Sequence, residues 1–130
     1  MSKKILFSLF LFTFLYNHST AQNEKQIDSL LKVISLTKND SVKVGNYNKV
    51  AWHYVFSDTS QAKRYLLKSE KIASKNKTTY GYTEIINLRG IMMDVKGQTD
   101  SAQFYFKKTL ELSRKNHHKR KRQRRQQGAD

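Results

Sequence analysis

The chain is close to self-similar, and this limits its fold more than any single residue does. Shifted by 40 residues, Ala62 falls on Ala102, Leu66 on Phe106, Ser69 on Thr109, Lys75 on Lys115 and Asn76 on Asn116. A shift of 39 lays Tyr47 on Ile86, Ala51 on Gly90 and Tyr54 on Met93. The one-residue difference falls between "SDTSQ" at 57–61 and "KGQTDS" at 96–101, in a turn, where length is free to vary. A fixed period of this size marks a repeat architecture, in which each unit buries its apolar face only by stacking on a neighbour.

Within each unit the apolar spacing is helical. Ile27, Leu30, Leu31 and Ile34 stand at i, i+3, i+4 and i+7 of a first helix over 23–38, with Asn23 and Gln26 at capping-box spacing. A second helix, 41–56, follows Asp40 as its N-cap and carries Val44, Tyr47, Ala51 and Tyr54 on one face. Asp58 with Gln61 opens a third, which runs to Lys75 with Ala62, Tyr65, Leu66, Ser69, Ile72 and Ala73 in register. A fourth, 78–95, uses Tyr82, Ile86, Gly90 and Met93, and Gly97 supplies its left-handed stop. A fifth, 99–115, uses Ala102, Phe106, Thr109 and Leu110. The absence of proline and the presence of only five glycines agree with an all-α chain.

Ile86, Gly90, Met93, Gly97, Ala102 and Phe106 occupy positions 4, 8, 11, 15, 20 and 24 of a 34-residue frame starting at Thr83. This pattern resembles the tetratricopeptide repeat (TPR), and Tyr47, Ala51, Tyr54, Ala62 and Leu66 repeat it with a turn one residue shorter. The departures are Arg89 where the family usually has Leu, Ser69 and Thr109 where it has Ala, and Trp52 one place beyond the small residue. The spacing of about 40 also exceeds the family's 34. The resemblance implies antiparallel helical hairpins stacked as a short TPR-like solenoid of about five helices. It also implies a concave groove lined by the first helix of each hairpin, at Asn48, Trp52 and Val55, then Glu84, Asn87, Ile91 and Asp94. Protein or peptide segments are the implied ligand. Core packing is the competing reading for Trp52 and Ile91. The family's clamp for C-terminal carboxylates is not supported, because Asn48, Trp52 and Leu88 stand at its places. The segment "VAWHYVFSDTSQAKRYLLKSEKIA" resembles exported TPR regions that precede a membrane helix and a sensor histidine kinase or DNA-binding regulator. An N-terminal fragment of such a signalling protein is therefore the alternative reading. Two repeats are also few, since about three are needed to bury a sufficient core. The last hairpin is expected to leave an apolar flank for a further repeat, a second copy or a capping helix.

The two ends differ from this body. "MSKK", the apolar run "ILFSLFLFTFLY" and small residues at Ser19 and Ala21 have the layout of a secretory signal peptide. The run is too short for a stable bilayer span. The expected organisation is a signal peptide at 1–21, an N-terminal helix in 22–40, two repeats over 41–116 and a basic disordered tail at 117–130. The expected location is periplasmic or extracellular. Eight of the 25 basic residues lie in 114–127 with no acid among them, six of these being Lys119, Arg120, Lys121, Arg122, Arg124 and Arg125. Such a block suggests disorder and electrostatic contact with nucleic acid or anionic lipid headgroups. Export and the lack of interleaved aromatics weigh against nucleic acid. The tail also breaks the repeat register after Lys115, which is the pattern of a chain truncated or shifted out of frame.

The inventory for chemistry is sparse. Without cysteine there are no disulfides, thiolate metal sites or thiol nucleophiles. Gly90 and Gly97 lack the spacing and the following Lys-Ser/Thr of a phosphate loop. His53 has no evident activating partner, and His117 and His118 diverge on a helix by about 100°. The expectation is a non-catalytic protein without cofactor or metal.

Overall fold

The computed structural model describes residues 23–75 and 81–127, and outside short turns all of them are helical. Helix α1 covers 23–36, α2 Asp40–Tyr54, α3 Thr59–Lys75, α4 Tyr82–Val95 and α5 Thr99–Gln127. The fold is all-α, with five helices packed on one another, as the periodicity requires. The signal-peptide segment and the expected first residues of the fourth helix, 78–80, lie outside the described residues.

Short turns join α2 to α3 and α4 to α5, and each of these pairs packs along its length more extensively than α4 packs on α2 or α3. The buried stripes follow helical spacing. Ala62, Tyr65, Leu66, Ser69 and Ala73 of α3 meet Val44, Asn48 and Ala51 of α2 and its C-cap residue Val55, and Ile27 of α1 joins the same core. Helix α4 buries two sides. Ile85, Leu88 and Met92 enter the core shared with α1, α2 and α3. Gly90 faces α5 so closely that an added Cβ would lie 2.7 Å from Phe106 Cε1 and 3.2 Å from Tyr105 Cβ. Arg89, at a place where the repeat pattern expects leucine, pairs instead with Glu70 of α3.

The packing residues expected from the repeat behave unequally at its two ends. Ala51, Ala62, Leu66, Ile86, Gly90 and Ala102 are buried, while Tyr47, Tyr54 and Met93 are half-buried. Tyr65 stacks between Tyr47 and Tyr54, with centroids 6.3 and 5.9 Å away, and Lys68 Nζ lies over its ring at 5.2 Å. Phe106 is the exception, 37 % exposed where its counterpart Leu66 is 2 % exposed. Nothing described packs on the outer side of α5, whose only buried residue is Ala102.

Helix ends show which local signals were sufficient. Asp58 Oδ1 accepts from the backbone N–H groups of Ser60 and Gln61, both at 3.0 Å, so it caps α3 as expected. Gln61 does not complete the capping box, since its Oε1 is buried without a partner. Gly97, at φ +71°, ends α4 with Gln98 N–H donating to Met93 O and Gly97 N–H to Asp94 O, a Schellman motif. Three expectations need correction. Asn39, not Asp40, caps α2, because its Oδ1 reaches Val42 N–H at 3.1 Å. Asn23 lies inside the first helix instead of capping it. Residues 117–127 are not irregular but continue α5, since Lys, Arg and Gln are good helix formers and neither Gly nor Pro interrupts 99–127.

Gly81 closes the approach to α4 at φ +72°, and an added Cβ would lie 2.5 Å from Val44 Cγ1. Gly97 has the same sign of φ but nothing within 4 Å. Gly97→Ala should therefore cost about 1 kcal/mol, from the backbone alone. Gly81→Ala should cost about 3 kcal/mol, because the methyl group also collides with the core. Urea unfolding midpoints measure both; equal losses would show that Val44 moves aside freely.

Candidate functional site

The repeat frame predicts seven groove residues, and the structure separates them. Asn48 and Val55 are fully buried, which corrects their assignment to a groove. They continue the Val44–Asn48–Ala51–Val55 stripe, which turns toward the core and away from solvent. Ile91 is half-buried against the same core, and Asp94 is exposed but lines neither cleft described below. Trp52, Glu84 and Asn87 are brought together. Trp52 is 49 % exposed, so it does not belong to the core, and Phe56 packs edge-on to it at 5.9 Å.

These three residues border an open cleft of about 620 Å³ between α1, α2 and α4. Helix α1 contributes Gln26, Ser29 and Leu30; α2 contributes Lys49, Trp52 and His53; α4 contributes Glu84, Asn87 and Leu88. Lys49, Trp52 and His53 share one turn of α2, on the side that borders its buried stripe at Asn48. The cleft thus presents the indole and two leucines amid amide, hydroxyl, ammonium and carboxylate groups. That composition suits an apolar side chain flanked by peptide backbone. The α1 residues escaped sequence reasoning because α1 precedes the repeat frame.

The α4 wall is held from behind. Asn48 Nδ2 donates to Gly81 O and to Glu84 Oε2, each at 3.1 Å, and Ser69 Oγ donates to Asn48 Oδ1 at 2.7 Å. Glu84 therefore reaches the cleft as the outer end of a hydrogen-bond chain that starts inside α3.

A second cleft, about 820 Å³, opens on the other side of Glu84 and Asn87. Its walls are the first turns of α4, with Thr83, and α5 from Thr109 onward, with Ser113, Asn116, His117, Lys119 and Arg120. Asn116 Nδ2 donates to Thr83 Oγ1 at 3.2 Å and ties the helices there. Of the six tail residues, Lys119 and Arg120 line this cleft, while Lys121, Arg122, Arg124 and Arg125 are exposed farther along α5. Among the described residues no cluster of three His, Cys, Asp or Glu side chains could hold a metal ion, and no helix is long and apolar enough to cross a membrane.

No known protein family, curated protein or solved structure matches this chain.

Asn48 and Trp52, four residues apart on α2, should give opposite phenotypes. Asn48→Ala removes three hydrogen bonds, to Ser69, Gly81 and Glu84, and leaves a gap in the core where the amide stood, so it should cost about 2–3 kcal/mol of stability. Trp52→Ala, at an exposed position, should cost less than about 1 kcal/mol. Thermal and urea unfolding of the two variants checks this; a larger loss from Trp52→Ala would place the indole in the core.

Proposed function

We propose that this protein is a TPR-like, non-catalytic interaction module, two stacked hairpins behind a leading helix, that holds protein or peptide segments in the cleft at Trp52. The reading is supported first by register. Ala62 and Ala102 are both buried at equivalent places, as are Ala51 and Gly90, where the two helices of each hairpin meet. The observation that carries the functional part is the half-exposed indole of Trp52 between three helices, with Leu30 and Leu88 beside it. A large aromatic side chain in a concave, partly polar site is a typical anchor for a protein ligand. The donors and acceptors around it, Gln26, Ser29 and Asn87 among them, suit the main chain of an extended segment.

Trp52 is the only tryptophan in the chain, so its emission reports on this cleft alone. Tryptophan-free peptides selected from a displayed random library against the intact protein should shift or quench that emission in a saturable titration. Trp52→Ala should weaken them by on the order of tenfold or more. Selected peptides that bind without disturbing the emission, and bind Trp52→Ala equally well, would remove the cleft from the function.

A further inference from the structure

The repeat register places the second cleft on a position that is covered in the first hairpin. The 39- and 40-residue shifts lay Val44 on Thr83, Asn48 on Asn87, Ser69 on Thr109 and Ala73 on Ser113. In the first hairpin these four side chains are all buried. The start of α4 lies against Val44 and Asn48. Gly81 touches Val44, its carbonyl and the Glu84 carboxylate accept from Asn48, and Ser69 completes the chain. In the second hairpin, Thr83, Asn87, Thr109 and Ser113 all line the open cleft. The flank of α5 beside them carries Phe106 and Leu110, 37 % and 51 % exposed, where α3 has the buried Leu66 and the Arg89-paired Glu70. The second cleft therefore repeats, unroofed, the seat that receives the first turn of α4.

We infer that this seat, Thr83, Asn87, Thr109 and Ser113 with the Phe106–Leu110 flank of α5, docks an amphipathic helix of a partner protein whose first turn is acidic. The orientation follows from the occupied seat, where Asn48 donates to a turn carbonyl and to an acid three residues later. The charge requirement is stronger here, because Lys119 and Arg120 line the cleft beside Asn87. Glu84 is the one acid in the lining of this cleft and already accepts from Asn48, and no acid follows Glu111 on α5. Acids at a helix N-terminus also match the helix dipole. A second copy of this chain fits less well, since its net charge of +15 opposes association. Nucleic acid fits less well too, since no Phe, Tyr or Trp follows Phe106 to stack on bases. This docking site goes beyond the Trp52 cleft, although both share the α4 wall.

The test pans the intact chain against a phage-displayed library of helical peptides. Selected helices are then titrated against wild type, Asn87→Ala/Thr109→Val, Lys119→Glu/Arg120→Glu and Trp52→Ala. The expected helices combine an apolar stripe with acids in the first turn. Each of the first two variants should weaken them by on the order of tenfold or more, with Trp52→Ala near wild type. The charge-reversed pair is exposed and keeps the test independent of folding. Helices that need Trp52 but tolerate both other variants would overturn the docking site and leave the Trp52 cleft standing. Failure to enrich any helix overturns it as well. So does self-association of the chain lost in Asn87→Ala/Thr109→Val, which would make a second copy the occupant. Displacement of the helices by short duplex DNA, with no dependence on Asn87 or Thr109, would reduce α5 to a general polyanion binder.

Discussion

One buried amide organises this molecule. Asn48 lies in an otherwise apolar stripe of α2, where an unpaired polar group would be costly. Its oxygen accepts from Ser69 of α3, and its nitrogen donates to Gly81 and Glu84 at the start of α4. Three helices thereby acquire a common fixed point. Apolar contacts alone would let α4 slide along α3 with little penalty, whereas these bonds have one satisfied arrangement. Gly81 belongs to the same constraint, because only a residue without a side chain lets its carbonyl approach Asn48 at a positive φ beside Val44. Ser69, a departure from the repeat pattern, is explained by it too: an alanine there would leave Asn48 Oδ1 without its donor.

Around that point the molecule is asymmetric from one end to the other. The α2–α3 hairpin is covered on both sides, by α1 and α4, and its tyrosines stack along its surface. Among the described residues, the α4–α5 hairpin is covered on one. Its internal seam is tight at Gly90, yet α5 contributes a single buried residue, and Thr109 bonds back to Tyr105 O of its own helix at 2.9 Å. Two surfaces result: a cleft with an aromatic floor between α1, α2 and α4, and a more polar, cationic one between α4 and α5. Glu84 and Asn87 stand between them and belong to both.

Much of this was legible in the sequence, and the failures have identifiable causes. The stripes of α1 and α3, the cap at Asp58 and the stop at Gly97 rest on spacing and on bonds within a few residues, so local pattern sufficed. Asn48 could not be placed that way, because its partners are 21, 33 and 36 residues distant and a repeat frame says only which helix it lies on. Val55 was misplaced with it, although the Val44–Ala51 spacing extended one more turn already points it inward. In α4 the apolar residues Ile85, Ile86, Leu88, Ile91, Met92 and Met93 surround the axis, so periodicity selects no face, and the side toward α3 was missed. In α5 two local rules conflict. A block of like charge argues for disorder, while the helix propensity of Lys, Arg and Gln argues for continuation, and propensity prevails.

The lighter packing between hairpins than within them has a bearing on how the fold comes apart. Cooperative units of a protein open in order of the contact that holds them, and the least anchored opens without the rest. Here that unit is α4 with α5, joined to the remainder through the Asn48 bonds, the Arg89–Glu70 pair and one side of α4. Its opening would leave the tyrosine-lined hairpin folded while removing a wall from both clefts at once. A partner of the kind proposed, held in either cleft, would oppose that opening, and its binding would be linked to the ordering of α4 and α5. The wall that both clefts share lies at the lightly packed seam between the two hairpins.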